Sequence, residues 1–325
     1  MGFLFTVFSY LTSSIIQGVP LLFGATGEIL TEKSGNLNLG IPGIMYMGAI
    51  SGVIGAFFYE RSTEDPSTFL LLIIPFLCCV VGAALLALIY SFLTITLKVN
   101  QNVTGLAITT LGTGIGNFFG SSIVGLAGGS GSVSLPKTAA VYKVTFPFLK
   151  GAADLEYTGF LLYLAIIVAL VASWVLKRTR VGLNLRAVGE NPATADAAGI
   201  NVTAYKYAAT TIGGAIAGLG GLYFVMDYTV GGWTNNGFGD RGWLAIAIVI
   251  FALWRPNSAI LASIIFGGLY IACVKIEGLS GPMRELIKMA PYVVTIVILV
   301  ITSARKKREN QPPESLGLNY FREER

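Results

Sequence analysis

One stretch of this chain comes within a residue of a nucleotide-binding motif. Gly27-Glu-Ile-Leu-Thr-Glu32-Lys33-Ser34 follows the phosphate-binding pattern GxxxxGK[ST] except at its sixth position. There, glycine would let backbone amides close around a phosphate; the Glu32 carboxylate would repel one instead. The stretch also leaves an apolar run of helical length rather than a strand, so no nucleotide hydrolysis is expected. The chain has no histidine, which removes the commonest general base and metal ligand. Cys78, Cys79 and Cys273 sit inside apolar runs and read as small packed hydrophobes. The expectation is no catalytic site, no metal and no cofactor held by this chain.

Two other patterns bear on binding. In Gly189-Glu190-Asn191-Pro192-Ala193-Thr194-Ala195-Asp196-Ala197-Ala198-Gly199, Asn191 suits a helix N-cap, Pro192 the first helical position and Gly199 the C-terminal cap. The result is a short helix of small residues, either a connector or a docking element for a partner. Farther back, Thr110, Thr113 and Asn117 fall within about 60° on a helix and form a polar stripe. Gly112, Gly116 and Gly120 form a ridge beside it, suited to close helix contact. The stripe reads equally as a path lining or as interhelical hydrogen bonding. Asn36 and Asn38 interrupt apolar sequence and mark either broken helix near a substrate path or a polar turn.

What must position these residues is a membrane bundle. The chain is 54% hydrophobic and 12% charged, with a mean hydropathy of +0.71; soluble domains carry about 25% charged residues. Its 40 glycines suit helices packed backbone to backbone in lipid. Apolar runs at roughly 5–29, 40–59, 69–96, 103–127, 157–176, 206–228, 242–254, 256–275 and 288–304 predict an all-α polytopic transmembrane helical bundle of about nine spans. A turn at Arg255-Pro256-Asn257 separates the seventh from the eighth. No Lys or Arg precedes the first run, so it is expected to stay as a span rather than be cleaved as a signal.

Lys177, Arg178, Arg180 and Arg186, and later Arg305-Lys306-Lys307-Arg308, place the segments after the fifth and ninth spans in the cytoplasm. With nine spans the N-terminus is outside and the C-terminus inside. The loops 127–156 and 229–241 then lie outside, and 176–205 is the largest inner loop. Asp227 closes the sixth span and is expected in solvent. Residues 1–308 form the transmembrane domain, and 309–325 read as a solvated cytoplasmic tail in which a change such as Ser315→Trp does nothing. The net charge of +5 reflects basic residues beside spans and anionic lipid, with no nucleic acid implied.

Gly182-Leu-Asn-Leu-Arg186-Ala-Val-Gly-Glu190-Asn191-Pro192, followed by Ala198-Gly199-Ile200-Asn201-Val202, resembles the signature of permease subunits of sugar and nucleoside ABC importers, in the branched-chain-amino-acid/ribose-type superfamily. The segment Gly27 to Met45, with Gly35-Asn36-Leu-Asn38-Leu-Gly40 at its centre, is similar to the nucleoside branch. Asn102-Val-Thr-Gly105-Leu-Ala107, Gly237-Phe-Gly-Asp-Arg-Gly242 and Pro256-Asn257 extend the likeness in order over roughly 10–300. The chain departs from the pattern at Ile41-Pro42, where a Val-Glu pair is expected, and in a bulky Trp243–Trp254 span.

The resemblance implies a cell-membrane permease forming half of an importer pore for nucleosides or related sugars. A second permease subunit, identical or homologous, would complete the pore, and an extracytoplasmic substrate-binding lipoprotein would deliver cargo. A separate cytoplasmic ABC ATPase would bind ATP and Mg and couple through Arg186, Glu190, Asn191, Pro192, Ala193, Ala195, Asp196 and Gly199. Asn36, Asn38, Thr110, Thr113 and Asn117 are the candidate substrate path. The alternative, an ion-coupled secondary transporter, would need acidic residues within the spans; Glu28 is the one candidate, at an inner edge.

Overall fold

The computed structural model describes residues 2–129, 131–143, 159–276, 280–305 and 311–322. Residues 130 and 144–156 of the expected outer loop, and part of the tail, lie outside the described residues. Among the described residues, six helices are long and apolar enough to cross a membrane: α1 (Gly2–Glu32), α2 (Ile41–Ser62), α3 (Thr68–Ser91), α6 (Phe160–Arg178), α9 (Val202–Tyr223) and α11 (Pro256–Lys275). α3 and α9 each end in one π-helical turn, to Thr96 and Tyr228 respectively.

The nine expected spans are not all of this kind. α4 (Gln101–Leu126) has the length, 26 residues, but glycine, threonine, serine and asparagine dilute it. α10 (Arg241–Phe251) has 11 residues, about 16 Å of helix against ~30 Å of hydrocarbon. α13 (Ala290–Arg305) has 16 and follows the short amphipathic α12 (Gly281–Lys288). Six spans therefore replace nine by length and composition, and an orientation argued from nine crossings loses its arithmetic.

α1 packs chiefly on α9 and α11, and α2 on α3, α4 and α9. Glycines set the separations. A Cβ on Gly27 would stand 2.1 Å from the Gly213 carbonyl oxygen, and one on Gly112 2.4 Å from that of Gly43, so these helices touch backbone to backbone. The similar sequences Gly48–Gly52 and Gly214–Gly218 meet, with Gly48 against Gly218. The glycine ridge on α4 is buried as expected, Gly116 beneath the Tyr46 ring and Gly120 beneath Trp233.

The loops sort onto two ends. At one, Leu37 N–H donates to Gln101 Oε1 (2.7 Å), Gly317 N–H to the Gly35 carbonyl (3.3 Å), and Trp254 Nε1 to Glu32. This basic end also carries α7 (Arg180–Glu190) and α8 (Pro192–Ala197). At the other, Thr138 N–H donates to Glu60 Oε2 (3.0 Å) and Arg61 to the Leu126 carbonyl (3.2 Å). There β1 (Val133–Ser134) pairs antiparallel with β2 (Gly232–Trp233), below the short α5 (Pro136–Tyr142). The sequence puts the same loops together through the sixth span.

The tail is not a solvated end. Ser315 is 6% exposed, and both its N–H (3.1 Å) and its hydroxyl (2.6 Å) donate to the Gly189 carbonyl. Asn319 donates to the Lys98 carbonyl (2.6 Å), Tyr320 to Asp196 Oδ2 (2.8 Å), and Arg322 pairs with that oxygen at 3.2 Å. The chain end thus straps α8 to the α3–α4 junction, and Ser315 is no inert position.

Candidate functional site

α10 is a half-span with a polar approach. Its end reaches the basic end of the bundle, where Trp254 bonds Glu32. Its first residue, Arg241, donates to Gln17 Oε1 (3.4 Å), and Gln17 lies well inside the span Val7–Glu32. The helix therefore begins at mid-depth, and the irregular segment before it enters the bundle to that level. Arg241 is 6% exposed. It donates to the Phe238 carbonyl (2.8 Å) and lies over the rings of Phe224 (4.4 Å) and Tyr270 (4.9 Å), so packing and cation–π attraction hold the break open. At its far end the chain turns through Leu253 and Trp254, both at positive φ, into Pro256 at the start of α11. This is the tight turn expected at Arg255-Pro256-Asn257.

The broken segment meets the polar stripe of α4 at one residue. Asn117 accepts from the Tyr46 hydroxyl (2.6 Å) and donates to Asn236 Oδ1 (2.9 Å). Tyr46 in turn accepts from the Asn236 N–H (2.9 Å), and Asn235 donates to Ser121 (2.7 Å). Thr110 and Thr113 continue the stripe, but each hydroxyl bonds a carbonyl of its own helix, that of Leu106 (3.1 Å) and of Thr109 (2.9 Å). Asn117 is the stripe residue that joins helix to loop.

Asn235, Asn236, Gly237, Gly239, Asp240 and Thr110 are exposed in the isolated chain. Irregular backbone at membrane depth is tolerated only against protein or a water-filled space, because hydrocarbon leaves its amides and carbonyls unsatisfied. This face therefore meets water or another subunit. The arrangement can pass a polar solute by exchanging hydrogen bonds.

Asn36 and Asn38 lie elsewhere, buried at the basic end. Asn36 Nδ2 donates to Thr94 (3.4 Å) and Thr210 (3.3 Å); the Asn38 N–H donates to Glu28 Oε1 (3.1 Å). They tie α1, α3 and α9 together and are not joined to the Asn117 stripe.

The coupling candidates do cluster. Asn191 caps α8 by accepting from the Thr194 N–H (2.9 Å), Pro192 stands at its first position, and Gly199 has φ +84°. Arg186, Glu190, Asn191, Ala193 and Gly199 are exposed and Pro192 half-buried. Ala195 is not available to a partner. It is 4% exposed and packs with Val188 and Val202 beneath Tyr320. Asp196 is held by Tyr320 and Arg322. Arg186 and Glu190 also line a cavity of about 370 Å³ with Lys33 and Arg255. Burial pushes the Lys33 ammonium below its usual pKa; Glu190 raises it again, while Arg186 and Arg255 lower it.

The sequence did not show how deeply several polar residues lie. Glu28 and Glu32 are fully buried, the first on the Asn38 amide and the second on Trp254. Asp227 is half-buried rather than solvated, lodged where Gly159 leaves room: a Cβ there would stand 2.2 Å from Oδ1. Glu32 carried one usable signal, as the misfit in the phosphate-loop pattern. Asp227 and Arg241 carried none beyond a charge at a span edge.

Comparison with known proteins agrees with this architecture. Residues 10–302 match the family described as branched-chain amino acid transport system / permease component. The nucleoside ABC transporter permease protein NupC of Lactococcus lactis subsp. cremoris is 30% identical over 95% of each chain. TsgC13 of Haloferax volcanii, an ABC transporter permease protein provisionally assigned to glucose, is 31% identical over 96% of this chain and 97% of its own. A solved ABC transporter structure of the metal-chelate type, in an inward-facing conformation, shares the fold. Its TM-score is 0.50 at 13% identity, over 89% of this chain and 85% of that one.

Proposed function

The chain belongs to the branched-chain amino acid transport system / permease component family, and we propose that it forms half of the path by which an ABC importer takes up nucleosides or related simple sugars. As a permease it is a multi-pass cell-membrane transport subunit without catalytic activity of its own. The observation that carries the finer reading is the polar break at mid-depth, Asn117 bonded to Asn236 on a face left exposed. Paired with the same face of a second permease subunit, it would enclose an aqueous path lined by amides and hydroxyls. Such groups exchange hydrogen bonds with a neutral, hydroxyl-rich solute, and Asp240, exposed at the same break, disfavours an anion.

In this reading a cytoplasmic ATPase, which binds ATP and Mg, docks on the exposed side of α7 and α8. A substrate-binding lipoprotein delivers cargo at the opposite end. α8 sits on α9 through Ala195 and Val202, so movement of the docking helix passes directly into a span. The nucleoside preference rests on the names of relatives at about this identity, one of which is assigned to glucose.

The test is uptake into proteoliposomes holding the permease, its ATPase and its binding protein. Labelled uridine should enter only with internal ATP and should be displaced by other nucleosides. Displacement by hexoses alone would move the reading to sugars. Uptake driven by an ion gradient without the ATPase would refute it.

A further inference from the structure

Lys206 is a buried cation with no partner among the described residues. It lies one turn inside α9, is 4% exposed, and makes no hydrogen bond or ion pair among the described residues. Its position makes this more costly. Helical side chains lean toward the N-terminus of their helix, so the ammonium is carried back toward the first turn of α9. That end bears the positive pole of the helix dipole. Asn201 caps the Ala204 N–H there (3.0 Å), while the amides of Val202 and Thr203 have no carbonyl of their own helix to reach. A buried ammonium lining one cavity with the first-turn residues at a helix's positive pole is the arrangement of an anion site.

The space for one exists. Lys206, Val202 and Thr203 line a cavity of about 380 Å³ at the basic end, with Lys98 and Arg322 contributing two further cations. Among the described lining residues the one carboxylate, Asp196, already accepts from Tyr320 and pairs with Arg322 at 3.2 Å. The volume lies within the range of small-molecule sites, about 300–1,000 Å³, and exceeds what a bare ion fills. Asn36, whose Oδ1 is buried and unbonded among the described residues, also lines it and offers an acceptor to a hydroxyl-bearing body.

We propose that this cavity binds a phosphate monoester, its phosphate held by Lys206 and the first-turn amides of α9. Among the described lining residues, three cations against one committed carboxylate favour a dianion. Because the walls come from α9, the segment after α3 and the C-terminal strap, the bound ester adds a tie among elements that already pack on one another. The site is separate from the mid-depth path and does not depend on which solute is transported. Its phosphate could belong to a soluble ester or to a lipid headgroup.

The test uses the full chain in nanodiscs, without the ATPase, read by thermal midpoint and by isothermal titration. Probes are inorganic phosphate and uridine monophosphate, with uridine as the uncharged control; a parallel set of nanodiscs contains phosphatidate. Uridine monophosphate, and more weakly phosphate, should bind and raise the midpoint, and uridine should not. Lys206→Met should raise the midpoint of the unliganded protein while weakening ester binding at least tenfold; Lys206→Arg should retain binding within a few-fold. Stabilisation by phosphatidate alone, lost in Lys206→Met, supports the site with a lipid occupant. No stabilisation by either source, or stabilisation undiminished in Lys206→Met, overturns the proposal.

Discussion

Replacing Ala193 and Ala195, two residues apart on α8, by tryptophan should separate docking from folding. Ala195 is 4% exposed among Val188, Val202 and Tyr320, so an indole there overpacks the chain itself, at a cost of about 1–3 kcal/mol. Ala193 is exposed, and surface changes away from special features stay within roughly 0.5 kcal/mol of wild type. The thermal midpoint of Ala193→Trp should therefore match wild type, and that of Ala195→Trp should fall by several degrees. If α8 seats in a narrow groove of the ATPase, the same 1–3 kcal/mol of overpacking acts on docking in Ala193→Trp. Affinity then weakens about five- to a hundredfold. The assay is co-purification of the ATPase at limiting concentration, alongside uptake in cells. Ala193→Trp with wild-type midpoint, full co-purification and full uptake would show that α8 is a connector and that coupling lies elsewhere.

Ser315→Trp should lower the thermal midpoint and free the tail to proteolysis, because both donors of Ser315 bond Gly189; each such bond contributes about 0.5–1.5 kcal/mol. An unchanged midpoint and protease pattern would show that the strap does not form. Single cysteines at Thr63 and Ala193, at opposite ends of the bundle, should label from opposite sides of intact cells with an impermeant thiol reagent. Labelling of both from one side would refute the two-ended arrangement.

The sequence disclosed what depends on local chemistry. Asn191, Pro192 and Gly199 act as the caps their types suggest, because capping is settled within a few residues. Gly112 and Gly116 pack as a ridge because i, i+4 spacing puts them on one helix face. Depth was not legible. Residues 242–254 are as apolar as a true span, and nothing in their order says that the helix starts beside Gln17 rather than at the membrane surface. α7 was hidden in a polar loop because its amphipathic pattern is short and its charges suggest solvent. The inward face of Ala195, the burial of Glu28 and the docking of the tail are tertiary facts. A polar residue shows no sign, in its own stretch of sequence, of the partner that will satisfy it.

If the exposed, hydrogen-bonded break at mid-depth lines an aqueous path, water-soluble reagents reach it. In the assembled transporter, with Cys78, Cys79 and Cys273 replaced by alanine, Asn236→Cys should react with a small, charged, water-soluble thiol reagent, and saturating substrate should slow that reaction. Leu85→Cys, on an exposed apolar face of α3, should stay unlabelled. If Asn236→Cys proves as inert as Leu85→Cys in both nucleotide-free and ATP-bound transporter, the break does not line an aqueous path and the reading of this chain as half a pore around Asn117 and Asn236 is wrong.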